Sequence, residues 1–128
     1  MPFRLFKATL AEGGVRSPLM ISGPGVGRHG QIDPALLHVT DLAQAIFAFA
    51  GGQGIESLQG RDETRVLGLD LFGQRALISG RWKLLDLPAK QERGYWSLYD
   101  LVSDPAEQFD LAPSRQTMVR QLEEQWER

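Results

Sequence analysis

Few side chains in this sequence are of types that do chemistry. It has no cysteine, so no thiol nucleophile, disulfide, zinc knuckle or iron–sulfur site can be built from it. The two histidines, His29 and His38, do not have the spacing of a metal-binding pair on one helix face. His38 lies in the apolar run Leu36-Leu37-His38-Val39 and reads as a packed, hydrogen-bonded residue. Asp100, Asp104, Glu107 and Asp110 form an acidic series. Asp-Pro and Asp-x-x-Glu patterns favour turns and helix starts, and no glycine-bent calcium loop accompanies them, so the series reads as turn caps on a solvated edge. The glycine-rich Gly23-Pro24-Gly25-Val26-Gly27 is no phosphate cradle: Pro24 removes a backbone donor and no Gly-Lys-Ser/Thr follows. Trp82, Trp96 and Tyr99 have faces on which a base or sugar could stack, but without a basic patch they read as sheet-to-helix packing.

One segment stands apart. In Lys7-Ala8-Thr9-Leu10-Ala11-Glu12-Gly13-Gly14-Val15-Arg16-Ser17-Pro18, Glu-Gly-Gly demands a tight turn with close backbone approach. Arg16 is placed to pair with a buried carboxylate before the chain enters an apolar run.

The elements around these residues follow from periodicity. The run 17–22, Ser-Pro-Leu-Met-Ile-Ser, is predicted as a short strand covered on both faces and ended by Gly23-Pro24-Gly25. A helix follows, with Thr40 as N-cap, Asp41 at its positive end, Leu42, Ala45, Ile46 and Phe49 on one face, and Gly51 as stop. Asp33-Pro34 is an alternative, earlier start. A polar, turn-rich hinge at 51–65 divides the chain. Beyond it, the runs 75–78 and 81–85 flank Ser79-Gly80 as a hairpin, and 96–101 makes a third strand. Ser103-Asp104-Pro105 turns the chain. Ser114 is predicted to cap a last helix bearing Met118, Val119, Leu122 and Trp126 on its apolar face. The expected class is α+β: a strand and helix, then a small antiparallel sheet of three or four strands packed by the C-terminal helix.

Composition bounds the functions. The 128 residues make one ordinary domain. Fourteen Lys plus Arg against sixteen Asp plus Glu give a net charge of −2, which argues against a basic nucleic-acid binder. No apolar run approaches the ~18 residues of a membrane span. Residues 1–7 lack the apolar stretch and cleavage site of a signal peptide, so the chain as it stands is expected in the cytoplasm.

The motifs resemble those of the sulfatases, the arylsulfatases of the alkaline-phosphatase superfamily. The signature is Lys7, Glu12, Gly13, Gly14, Arg16 and Pro18 before the apolar run and Pro24-Gly25. The stretch 38–43, then Gly80-Arg81-Trp82-Lys83-Leu84, Leu98-Tyr99-Asp100-Leu101, Asp104-Pro105-Ala106-Glu107 and Asp110-Leu111 continue it in order. The resemblance implies the C-terminal part of a sulfatase: residues 1–55 as the end of the catalytic α/β domain, 66–128 as the C-terminal subdomain. Lys7 then corresponds to the lysine that contacts the sulfate and leaving-group oxygen, where a cation would stabilise developing charge. Sulfatases cleave sulfate esters with a formylglycine made in Cys/Ser-x-Pro-x-Arg and a divalent metal, usually Ca²⁺. That motif is absent from these 128 residues, since Leu111 stands where Cys or Ser is needed before Ala112-Pro113-Ser114-Arg115. The resemblance therefore implies no metal ligand or cofactor site in this chain, and silence in sulfate-ester hydrolysis when it is alone. The alternatives are a complementing subunit of a split sulfatase, or of a related phosphonate or phosphate ester hydrolase, and a non-catalytic binding or oligomerisation module. A parent enzyme is compatible with the periplasm. Missing its N-terminal half, the chain is expected to form a homodimer burying Leu19, Ile21, Leu42, Ile46 and Phe49, or to bind that half, while residues 1–12 lack a docking surface.

Overall fold

Leu67, Leu69 and Leu71 alternate with Val66, Gly68 and Asp70, and this period of two folds as the first strand, β1 (Val66–Leu71). The computed structural model describes residues 2–24, 30–33, 35–52, 65–87 and 95–128. They form two compact units, Met1–Pro18 with Glu63–Arg128, and Leu19–Asp62. These units divide the chain differently from the expected segments 1–55 and 66–128, because the first eighteen residues pack with the C-terminal sheet.

In the larger unit, β1 is followed by β2 (Gln74–Ser79), β3 (Trp82–Asp86) and β4 (Ser97–Asp100), in a four-stranded antiparallel sheet of order β1-β2-β3-β4. Two-residue loops make the first two hairpins. Leu71 pairs with Gln74 across Phe72-Gly73, both at positive φ (52° and 78°), and Ser79 pairs with Trp82 across Gly80-Arg81. The second turn therefore sits one residue later than Ser79-Gly80, with Gly80 supplying the left-handed φ of 57°. β1 was not predicted; its alternation is readable, but its turn carries Phe-Gly instead of the usual Asn-Gly or Asp-Gly.

Both sheet faces are covered. On one, Leu77, Leu84, Trp96 and Leu98 pack with Leu122 of the C-terminal helix α3 (Gln116–Trp126), flanked by Met118, Val119 and Trp126. Trp96 and Trp126 meet edge-on at 5.9 Å. Ser114 does not cap this helix. It closes a 3₁₀ turn (Ala112–Ser114) through its hydroxyl, which donates to the Leu111 carbonyl, and Arg115 takes the cap position without a side-chain bond. On the opposite face, Ala76, Leu85 and Tyr99 pack with Leu10 and Ala11, and with Val15 of a single helical turn, α1 (Glu12–Val15). Residues 1–12 were expected to lack a docking surface. Instead Leu10 and Ala11 are buried against the chain's own sheet, because they are apolar and fill that face, while residues 4–8 stay exposed.

The smaller unit holds α2 (Val39–Phe49). His38, rather than Thr40, is its N-cap: His38 Nδ1 accepts from the Thr40 amide, and the His38 amide donates to Asp41 at 2.7 Å, closing a capping box. Gly51 ends the helix at φ 85°. Residues 17–22 form no strand, since no described segment offers them a ladder partner; Leu19, Met20 and Ile21 are exposed. Residues 25–29 (with His29), Pro34 and the hinge segment 53–64 lie outside the described residues.

Candidate functional site

The Glu-Gly-Gly turn is built by contact. A Cβ on Gly13 would lie 2.3 Å from the Leu5 carbonyl oxygen, and one on Gly14 would lie 2.0 Å from that of Thr9. Only glycine lets the loop 4–9 wrap this closely around α1. The Gly13 amide donates to the Arg4 carbonyl at 2.9 Å, and the Thr9 hydroxyl donates to the Phe6 carbonyl at 2.7 Å. Lys7 sits at the outside of this loop. It is exposed, and among the described residues its ammonium has no hydrogen-bond or ion-pair partner.

Beneath the loop lies a charge cluster taken out of water. Lys83 on β3 is fully buried, with Nζ 2.8 Å from Glu12 Oε1 and 2.7 Å from Glu107 Oε1. Glu107 Oε2 accepts from the Glu12 amide at 3.0 Å. Arg16 approaches Glu12 Oε2 at 3.5 Å from a half-exposed position and stacks over the Phe3 ring. Two carboxylates thus face two cations, which is the condition for burying them at all. The expected pairing of Arg16 with a buried carboxylate is this contact with Glu12. The cluster joins three distant stretches of chain, and its members are charged, so it fixes α1 on the sheet in one register.

Glu107 corrects the sequence reading. It is no solvated cap but a buried partner of Lys83, at φ 54° in the turn after β4. The remainder of the acidic series does cap turns. Asp104 accepts from the Phe109 amide, and Asp110 Oδ1 accepts from the amides of Leu98 and Ala112. Asp100 takes a bidentate pair from Arg81 and also accepts from the Val102 amide. The hydrogen bonds from Arg81 hold the Asp100 carboxyl well below the usual carboxylate range. Lys83 was missed as a site residue. Its signal was a lysine inside the strand Trp82-Lys83-Leu84-Leu85, where an apolar neighbourhood forces a buried charge to have a partner.

Gln74, at the start of β2, grips the loop from the other side. Its Oε1 accepts from the Leu10 amide at 2.9 Å, and its Nε2 donates to the Ala8 carbonyl at 3.0 Å. Arg4 donates to the Tyr99 hydroxyl at 2.7 Å. Trp82, Trp96 and Tyr99 offer no stacking platform: Arg81 and Arg115 lie against Trp82, Arg75 against Trp96 and Arg4 against Tyr99. Arg75 is itself bonded to the buried Asp86 at 2.6 Å. Among the described residues, no three His, Asp or Glu side chains gather as ion ligands. No described helix is long and apolar enough to cross a membrane.

An antiparallel sheet with a helix on one face and a glycine-wrapped, charge-anchored loop on the other defines an α+β fold, in which Lys7 is the one unpaired lysine among the described residues. Sequence comparison puts this arrangement beside the sulfatases. An uncharacterized sulfatase of Schizosaccharomyces pombe is 29% identical over 147 aligned positions, covering 98% of this chain and 26% of that protein. An arylsulfatase of Klebsiella aerogenes is 40% identical over 65 positions, 51% of this chain and 14% of that protein. The chain thus spans about a quarter or less of the length of these relatives. No protein-family model matches it. A solved structure from work on the metabolism of multiple glycosaminoglycans by Bacteroides thetaiotaomicron superposes with a TM-score of 0.45 at 21% identity, over 68% of this chain and 23% of that one. The chain is sulfatase-like in sequence, as its ordered motifs indicated.

Proposed function

We propose that this chain is the C-terminal part of a sulfatase-type fold, and that it contributes Lys7 to a site whose nucleophile and divalent metal are carried by a chain segment outside these residues. The observation that carries the reading is the loop itself. Among the described residues Lys7 is exposed and unpaired, while the backbone on either side of it is held, by the Gly13 amide at Arg4 and by Gln74 of the sheet at Ala8 and Leu10. A free ammonium on a fixed backbone is suited to meeting an anionic ester oxygen as negative charge develops on it. One cation without nucleophile or metal supplies little catalysis, because such groups act as a unit. The chain alone is therefore silent. Phosphonate and phosphate esters offer the same anionic oxygens and are the alternative substrate class.

The exposed apolar residues of the smaller unit fit this reading. Leu19, Met20, Ile21, Ile46, Phe47 and Phe49 are open to solvent, Met20 almost completely at 94%. Their occupant is the remaining three quarters of a sulfatase-type chain, which the relatives possess and these residues do not. A second copy of the chain is the competing occupant.

The test is complementation. The purified chain is mixed with the N-terminal three quarters of an active arylsulfatase, Ca²⁺ and an aryl sulfate. Turnover only in the mixture, lost with Lys7→Ala, supports the proposal. Turnover by the chain alone, or by a mixture indifferent to Lys7→Ala, overturns it.

A further inference from the structure

We infer that Gln74 is a positioning residue for Lys7, acting through the loop backbone from sixty-seven residues away in sequence. This rests on the assignment of Lys7 above. The loop is held in a conformation that it would not adopt unaided. Leu5 and Ala8, on either side of Lys7, lie at φ 59° and 68°, the left-handed region that side chains other than glycine avoid. Such conformations persist only where the surroundings over-determine them. On the N-terminal side the restraint is the Gly13 amide on the Arg4 carbonyl and the Arg4 guanidinium on Tyr99. On the C-terminal side Leu10 and Ala11 pack on the sheet, and the side chain that bonds the loop backbone from the sheet is Gln74. The Gln74 amide spans residue 9, accepting from the Leu10 amide and donating to the Ala8 carbonyl. It thus supplies the two bonds that a neighbouring strand would have made. Ala8 is both the strained residue and the immediate neighbour of Lys7, so this grip sets where the lysine leaves the backbone. Gln74 touches no part of the lysine side chain that the contacts define, and its role is to aim rather than to react.

The experiment compares wild type, Gln74→Ala and Gln74→Glu. Glutamate keeps the acceptor for Leu10 but puts a carboxylate oxygen against the Ala8 carbonyl. Amide hydrogen exchange is read residue by residue on the isolated, ¹⁵N-labelled chain. The expected result for Gln74→Ala is exchange at Leu10 faster by at least ~10-fold, with Leu77, Leu84 and Leu98 unchanged. Gln74→Glu should keep Leu10 protected while the amide signals of 6–9 shift. In the complemented mixture, both variants should lower kcat with little change in KM. Unchanged Leu10 exchange in Gln74→Ala, or loss of protection spread evenly over the sheet, overturns the inference. Failure of the Lys7 assignment looks different: loop exchange responds to Gln74→Ala as described, but Lys7→Ala leaves complemented turnover intact.

Discussion

Lys83 carries the largest single consequence among the side chains. Removing one partner of a buried ion cluster strands the others in a medium that cannot solvate them, which costs about 3–5 kcal/mol. Lys83→Met should lower unfolding free energy by that amount in urea titration, because it leaves Glu12 and Glu107 facing each other. A loss under ~1 kcal/mol would show that the cluster is solvated. Asp100 governs a different observable. Its carboxyl has a folded-state pKa depressed below the ordinary 3.8, chiefly by hydrogen bonds from Arg81. A depressed carboxyl adds stability that is fully present above the unfolded value, and that stability is lost as pH falls through the folded one. The thermal midpoint of wild type should thus exceed that of Asp100→Asn at pH 6 to 7. The gap should close as pH drops from about 4 towards 2. A gap that stays constant across that window would refute the linkage. Arg81 is half exposed, so the effect is modest and salt-sensitive.

Among the elements, α1 shows how a four-residue turn is kept. It is far too short to persist alone. What holds it is Leu10 and Ala11 against the sheet, the Lys83 cluster beneath Glu12, and the absence of side chains at Gly13 and Gly14. Gly13→Ala should destabilise the larger unit by ~1–3 kcal/mol, since the intruding methyl meets backbone oxygens that cannot rotate aside. Equilibrium denaturation checks this, and Leu10 exchange should rise with it. Element type was largely readable in advance. β2, β3, β4, α2 and α3 announce themselves by period and by Gly or turn signals. The errors cluster at ends and at edges. Ser114 and Thr40 looked like caps, but a 3₁₀ turn and a histidine took those places. The run 17–22 has strand composition, yet a strand is a pairing, and composition does not supply the neighbour.

For the molecule as a whole, the two units differ in how they satisfy their surfaces. The larger covers both sheet faces from within the chain. The smaller leaves Ile32, Ile46, Phe47 and Phe49 exposed around one capped helix. Light scattering at micromolar concentration should report self-association of the isolated chain that Ile46→Asp with Phe49→Asp abolishes, and that the N-terminal part of an arylsulfatase displaces. A monomer indifferent to both the substitutions and the added part would show that this face has no occupant.

Residue order alone determined the class of fold, the place of the Glu-Gly-Gly turn and the likeness to sulfatases, because periodicity, glycine placement and motif order are local or linear properties. It also marked Lys7 as a candidate, through that likeness. The folded chain decided what no linear pattern encodes: that Lys83, Glu12 and Glu107 share one buried cluster, that Gln74 grips the backbone beside Lys7, and that Leu10 and Ala11 have the chain's own sheet to pack against. The contacts made by Glu12 with Lys83 and by Gln74 with the loop join stretches more than sixty residues apart. Their partners become legible only when the sheet register sets which side chains share a face, and when burial obliges each charge there to find its opposite.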